Sequence, residues 1–222
     1  MTAESALHRL DLRFRHLASA AGLVDVTSDL AESPLGVLLV AATEGGLCRV
    51  SFQGEEALDE LASTLGRRVL RLPGGVDQAR RQLDEYFAGR RHAFDLSLDL
   101  AVRSFFQAGV LAALADLPYG ELTTCGRLAS SLGRPGAAPA VGAALHRNSL
   151  PVVLPCHRVV GADGRLVGYA SGLERKRRLL ELEGALGLQE GARPRVAGKG
   201  RGPDPRHPEA NAVDLDRGPE TG

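Results

Sequence analysis

Two adjacent residues, Cys156 and His157, have the types to do chemistry together, and they sit in the stretch LPVVLPCHRVVGADG, residues 150–164. A thiol reacts as its thiolate, and a nearby imidazole is a common way of generating one. Neighbours on an extended chain point to opposite sides. The pair therefore needs a local turn, or a bridging water, to share a proton. Pro155 before it and the glycines after Val160 make such a turn possible. A histidine used in this way calls for a carboxylate further along the chain to orient its other nitrogen. Taken alone, the pair reads more readily as a buried cysteine in an apolar strand beside a histidine satisfied by backbone. The neighbourhood has to decide.

The 222 residues suffice for one large domain or two small ones, and 44% hydrophobic and 24% charged residues are ordinary globular values. Formal net charge is zero, yet residues 1–99 sum to −4 and residues 100–184 to +4. The half holding Cys156 is thus the basic one, as a nucleic-acid-binding face needs, although so small a difference decides nothing alone. Nearly all the basic charge is arginine; Lys176 and Lys199 are the only lysines. Cys48, Cys125 and Cys156 are widely spaced, with no CxxC pair and no zinc-ligand pattern, so no metal is expected. The N-terminus is charged and broken rather than apolar, and no run reaches the length of a membrane span. The expectation is a reduced cytoplasmic protein, where an unpaired thiol stays a thiol.

Two regions should position the pair, and a tail follows them. Residues 1–100 read as an α/β module. A short helix carries Leu7, Leu10, Phe14 and Leu17; the runs LVDVTSDL, VLLVAAT and LCRVSFQ form an antiparallel meander of three strands. Then come a helix EEALDELASTLG, a short strand RVLRL, a helix VDQARRQLDEYFAG and a closing strand AFDLSLDL. Residues 101–184 read as mostly helical. SFFQAGVLAALADL, ELTTCGRLASSLG and AAPAVGAALHRN are helices, the last two joined by a Gly/Pro turn as in a helix-turn-helix, and LERKRRLLELEG is the last. Residues 185–222, rich in Gly, Pro and charge, should be disordered.

The motif PCHRVVGADG, with PYGELTTCGRLASSLGRPGAAPAVGAALHRNS before it and GYASGLERKRRLLELEG after, resembles the O6-alkylguanine-DNA alkyltransferases. The likeness is dense over residues 104–184, and SPLGVLLVAATEGGLCRVSF looks like that family's N-terminal β-meander module. The resemblance implies an α+β protein, with an RNase H-like N-terminal module and a helical domain bearing the active-site cysteine. It also implies a suicide methyltransferase that repairs double-stranded DNA, needs no cofactor and acts as a monomer. In the family the lesion base is flipped out of the duplex, and the helix-turn-helix works on the minor groove.

By the same resemblance Cys156 matches the alkyl acceptor, His157 the histidine that deprotonates it through a water, and Glu183 the glutamate that orients that histidine. Asn148 matches the asparagine holding the turn between recognition helix and active-site strand. Tyr169 and Ala170 match the loop closing the pocket, and the carbonyls of Cys156 and Val159 would accept from the guanine amino group. Arg158 is expected to be structural. Two positions depart from the pattern. Pro139 stands where the family has an arginine that enters the duplex, and Cys125 where it usually has a tyrosine. Those losses motivate a second reading, a module that binds alkylated DNA without removing the lesion. The retained Cys-His-Glu set argues against it. A Cys-His hydrolase is a remoter third, with no sign of an oxyanion hole.

Overall fold

The computed structural model describes residues 21–65, 68–72, 74–100 and 104–186, and six positions between 11 and 18. Those six are helical, with Phe14 and Leu17 exposed. Leu7, Leu10 and the chain from 187 onward, where disorder was expected, lie outside the described residues.

The expected meander forms: β1 (Val26–Ala31), β2 (Leu38–Thr43) and β3 (Gly46–Ser51) pair antiparallel in sequence. The expected three-stranded sheet has a fourth member. β4 (Val69–Arg71) lies parallel to β1 on its outer side, giving the order β3-β2-β1-β4, after a crossover through α1 (Glu56–Leu65). AFDLSLDL is not a full strand; it makes a single bridge, Leu47 to Leu98. Its earlier part is held by a side chain instead, because Gln82 donates to the Asp95 carbonyl and accepts from the Asp95 amide. The β2–β3 hairpin passes so close that a Cβ on Gly46 would lie 2.3 Å from the Ser97 carbonyl oxygen. Only glycine fits there.

In α2 (Asp77–Phe87), Ala79, Gln82, Leu83 and Tyr86 form a buried stripe at helical spacing. The helical half follows. α3 (Phe105–Ala115) is capped by Ser104, whose hydroxyl accepts from the Gln107 amide. α4 (Cys125–Ser131) is capped likewise by Thr124, and after a turn comes α5 (Ala138–His146). α4 starts later than ELTTCGRLASSLG suggests, because Thr123–Thr124 form β5 and pair parallel with β6 (Val159–Val160). That pairing ties the first helix of the helix-turn-helix to the chain just after Arg158. α6 (Leu173–Leu182) closes the described chain. One apolar core runs through both halves, from Leu38, Val40 and Tyr86 to Leu114, Leu154 and Leu179. Burying each of these leucines contributes about 1.5–3 kcal/mol.

Candidate active site

The residues before Cys156 do not form the expected strand. Asn148 pins them into a compact turn: its Oδ1 accepts from the Leu150 amide at 3.0 Å and its Nδ2 donates to the Leu154 carbonyl at 2.9 Å. Within it Val152 has φ +76°, the only positive φ outside glycine among the described residues. For a β-branched residue this is an outlier, and such strain persists where the surroundings over-determine it. The side chain is buried to 1% exposure. Cys156–Arg158 then make one turn of 3-10 helix, closed by the Arg158 amide on the Pro155 carbonyl at 3.0 Å. A local turn at the pair was expected, and this 3-10 turn is it.

Glu183, the C-cap of α6, is 6% exposed and collects five donors. Oε1 accepts from the Tyr86 hydroxyl at 2.7 Å and from Arg158 Nη2 at 2.9 Å, and lies 2.9 Å from His157 Nε2. Oε2 accepts from Arg158 Nε at 2.8 Å and from the Gly120 amide at 3.2 Å. Burial alone would raise this carboxyl's pKa, but the bonds and charges of His157 and Arg158 outweigh it and hold it well below the usual carboxylate range. An ionised carboxylate only accepts, so His157 carries its hydrogen on Nε2. That leaves Nδ1 as the basic nitrogen, and Nδ1 is buried with no hydrogen-bond partner among the described residues. Burial lowers the His157 pKa, so the ring rests neutral.

The thiol is tuned by opposing influences. Burial pushes the Cys156 pKa up, while Asn148, with Nδ2 3.2 Å from Sγ, and the charge of Lys176 pull it down. Lys176 is fully buried; its Nζ donates to the carbonyls of Val159 at 2.5 Å and Val167 at 2.7 Å. Burial lowers its pKa to about 8. The Cys156 site therefore rests as a thiol beside a neutral base and a buried cation.

Three sets of bonds thus surround the site: Asn148 on Cys156, Glu183 with His157, Arg158 and Tyr86, and Lys176 on Val159. Around it, Tyr169 has a buried hydroxyl with no hydrogen bond, Ser171 lying close but out of bonding geometry. Burial, then the Cys156 charge, raises its pKa. Cys125, half-buried at the start of α4, is pushed up by burial and lies within reach of the Lys176 charge. Ala170 and Pro139 are exposed, Pro139 in the first turn of α5. The Val159 carbonyl already accepts from Lys176, which leaves one lone pair for another donor. Among the described residues no group of His, Cys, Asp and Glu could hold a metal ion.

Sequence reasoning missed Tyr86 and Lys176 and did not foresee the bidentate hold of Arg158 on Glu183. Lys176 offered a signal, being one of two lysines in an arginine-rich chain. Gly120 was also unforeseen: a Cβ there would lie 2.8 Å from the Glu183 carbonyl oxygen, and its φ is +75°.

Fold and site together define a protein in which a strand-rich module and a helix-turn-helix domain surround a partly buried cysteine followed by a buried histidine paired with a glutamate. Residues 26–100 match the profile of the 6-O-methylguanine DNA methyltransferase ribonuclease-like domain, and residues 105–185 that of its DNA binding domain. A methylated-DNA–protein-cysteine methyltransferase of Methanosarcina barkeri is 42% identical over 156 residues, 70% of this chain and 95% of the relative. The crystal structure of Mycobacterium tuberculosis O6-methylguanine methyltransferase superposes with TM-score 0.62 at 40% identity, covering 71% of this chain and 92% of that one. A structure of Mycobacterium tuberculosis OGT in complex with DNA gives TM-score 0.61 at 39% identity, covering 71% and 91%. The chain belongs to the 6-O-methylguanine DNA methyltransferase family.

Proposed function

We propose that this chain repairs DNA by moving an alkyl group from O6 of guanine to Cys156, once per molecule and irreversibly. The observation that carries the reading is a half-buried Cys156 followed by His157, whose buried ring pairs with Glu183, set in a chain of this family. The thiol proton passes to Nδ1 of His157 through a bridging water, while Glu183 holds the Nε2 hydrogen. Asn148 and Lys176 stabilise the thiolate as it forms. The sulfur attacks the alkyl carbon; the S–C bond forms as the C–O6 bond breaks. The electron pair stays on the guanine, which takes up one proton in exchange for the one Cys156 gave up. Products are a thioether and normal guanine, with no cofactor consumed.

The substrate is double-stranded DNA with the lesion base turned out of the stack, since O6 cannot be reached inside it. Pro139 and the start of α5 lie against the minor groove in this reading. The loop with Tyr169 and Ala170 closes over the base, and the carbonyls of Cys156 and Val159 receive its amino group. Cys125 lines the same pocket. The protein acts as a monomer, in the cytoplasm, where thiols stay reduced; among the described residues no helix is long and apolar enough to cross a membrane. Residues 1–100 and 101–184 serve as support module and reaction domain. A purely lesion-binding role is not favoured, because binding alone requires neither a relay nor a thiolate.

The test is intact-protein mass spectrometry after incubation with a duplex carrying one O6-methylguanine, followed by peptide mapping. One methyl on Cys156, lost in Cys156→Ala and kept in Cys48→Ala and Cys125→Ala, is the expected result. Tight lesion binding with Cys156 never modified would overturn it.

A further inference from the structure

The line Cys156, His157, Glu183 lies wholly in the helical half, yet a residue of the other half touches its far end. Tyr86, on the buried stripe of α2, is 0% exposed and donates its hydroxyl to Glu183 Oε1 at 2.7 Å. Oε1 is also the oxygen that faces His157 Nε2. We propose that Tyr86 is a positioning residue for alkyl transfer: its hydroxyl fixes the Glu183 oxygen that orients His157, and this is how the N-terminal module takes part in the reaction. The inference rests on the alkyltransferase reading above.

Three features distinguish this from ordinary packing. The ring has apolar and aromatic company of its own, Phe87, Phe94 and Tyr119, with centroids 5.3, 5.5 and 6.1 Å away. A phenylalanine would keep all of those contacts, so packing alone does not call for the hydroxyl. The hydroxyl is then the shortest of the three bonds on Oε1. And because it shares Oε1 with His157, it draws on the electron density that the imidazole hydrogen uses. Removing it leaves that oxygen a stronger partner for a protonated ring and one restraint short.

Charged and titratable groups face His157 from every element packed on it. Glu183 and Lys176 come from α6 and its C-cap, and Arg158 from the same 3-10 turn. Tyr86, Tyr119 and Tyr169 face the shared carboxylate from α2, from the loop after α3 and from the loop before α6. Of these, only Tyr86 comes from the N-terminal module.

The experiment measures single-turnover methyl transfer to Cys156 from an O6-methylguanine duplex, between pH 5.5 and 9, for wild type, Tyr86→Phe, Glu183→Gln and the double variant. Tyr86→Phe is expected to slow transfer at neutral pH by about three- to tenfold, the worth of one hydrogen bond, and to move the acid limb of the profile to higher pH. In the Glu183→Gln background the same change is expected to do nothing further, since Tyr86 acts through that carboxylate. A Tyr86→Phe profile identical to wild type overturns the proposal, as does an equal loss in both backgrounds. Should Tyr86→Phe not fold, pH-dependent iodoacetamide labelling of Cys156 in Glu183→Gln and wild type decides. An unchanged profile there removes the carboxylate from the relay, and Tyr86 with it. If wild type itself transfers no methyl, the functional reading fails rather than the role of Tyr86.

Discussion

Arg158 and Glu183 meet edge to edge, with Nε 2.8 Å from one carboxylate oxygen and Nη2 2.9 Å from the other. Both are buried, and Nη1 of the same guanidinium donates to the Leu117 carbonyl at 2.5 Å. The arrangement gives Glu183 a permanent counter-charge, so the carboxylate stays ionised and serves His157 as an acceptor in every protonation state. Arg158 thus does more than fill space. It keeps the orienting group from ever competing for the proton.

Glu183→Gln should therefore be destabilising beyond the loss of one bond. The amide cannot accept from both edges of the guanidinium, and the Arg158 charge is left buried without its counter-charge. Breaking a buried pair from one side costs about 3–5 kcal/mol. Urea unfolding is expected to show that loss as a lower midpoint at unchanged slope.

Acid should weaken the fold through two groups of the same site. The Glu183 pKa is depressed on folding, so its contribution is complete above the unfolded value of about 4.3 and disappears as pH falls through the folded one. The His157 pKa is also depressed, by burial, so below about 6.5 the unfolded chain takes up a proton that the folded chain refuses. Both slopes have the same sign. The urea midpoint is expected to fall from pH 7 to pH 4, and His157→Gln to flatten the portion between roughly 6.5 and 5.

Asn148 spends both Nδ2 hydrogens and its Oδ1 on this site, on Leu154, on the sulfur of Cys156 and on Leu150. Asn148→Ala leaves the buried Leu150 amide without a partner at about 1–3 kcal/mol, leaves the Leu154 carbonyl with the Cys156 amide alone, and releases the turn that holds Val152 at positive φ. It also removes the donor to the sulfur. Labelling of Cys156 with iodoacetamide should need higher pH than in wild type, and the midpoint of unfolding should drop.

Much of this was legible in the chain, for physical reasons that differ by element. The meander and the helices announce themselves through local periodicity and turn residues. β4 was legible as a short strand in RVLRL, but its place in the sheet was not, because its parallel pairing with β1 depends on a crossover that no local pattern records. AFDLSLDL alternates well but loses its ladder because the Gln82 side chain occupies the Asp95 backbone. Cys156 and His157 were readable as a pair; Glu183 and Asn148 came only through family likeness. Tyr86 stayed hidden because it sits on an apolar helix stripe, where a tyrosine looks like filling, and its partner is 97 positions away.

Lys176 supplies the buried positive charge nearest in chemistry to the thiol, bridging the Val159 and Val167 carbonyls from α6. With its pKa lowered to about 8, it is charged at neutral pH and loses that charge on mild alkalinisation. Lys176→Met should push the Cys156 thiol up further and slow its labelling at pH 7. At pH 9, where the wild-type lysine is largely neutral, the two proteins are expected to converge. A difference independent of pH would assign the lysine to loop structure alone.

Pro139 offers the sharpest separation of base flipping from chemistry. It is exposed in the first turn of α5, where the family resemblance places an arginine that enters the duplex. An arginine fits that turn without strain and adds only an N–H that a helix start leaves unpaired anyway. Pro139→Arg should therefore change stability by no more than about 0.5 kcal/mol. Transfer from O6-methylguanine within a duplex should accelerate at least about tenfold, a barrier change of roughly 1.4 kcal/mol. Transfer from free O6-benzylguanine, which needs no flipping, should keep its wild-type rate. Equal acceleration with both substrates would mean that the residue acts on the pocket, and no acceleration with either would mean that this protein extrudes the base without help from that position.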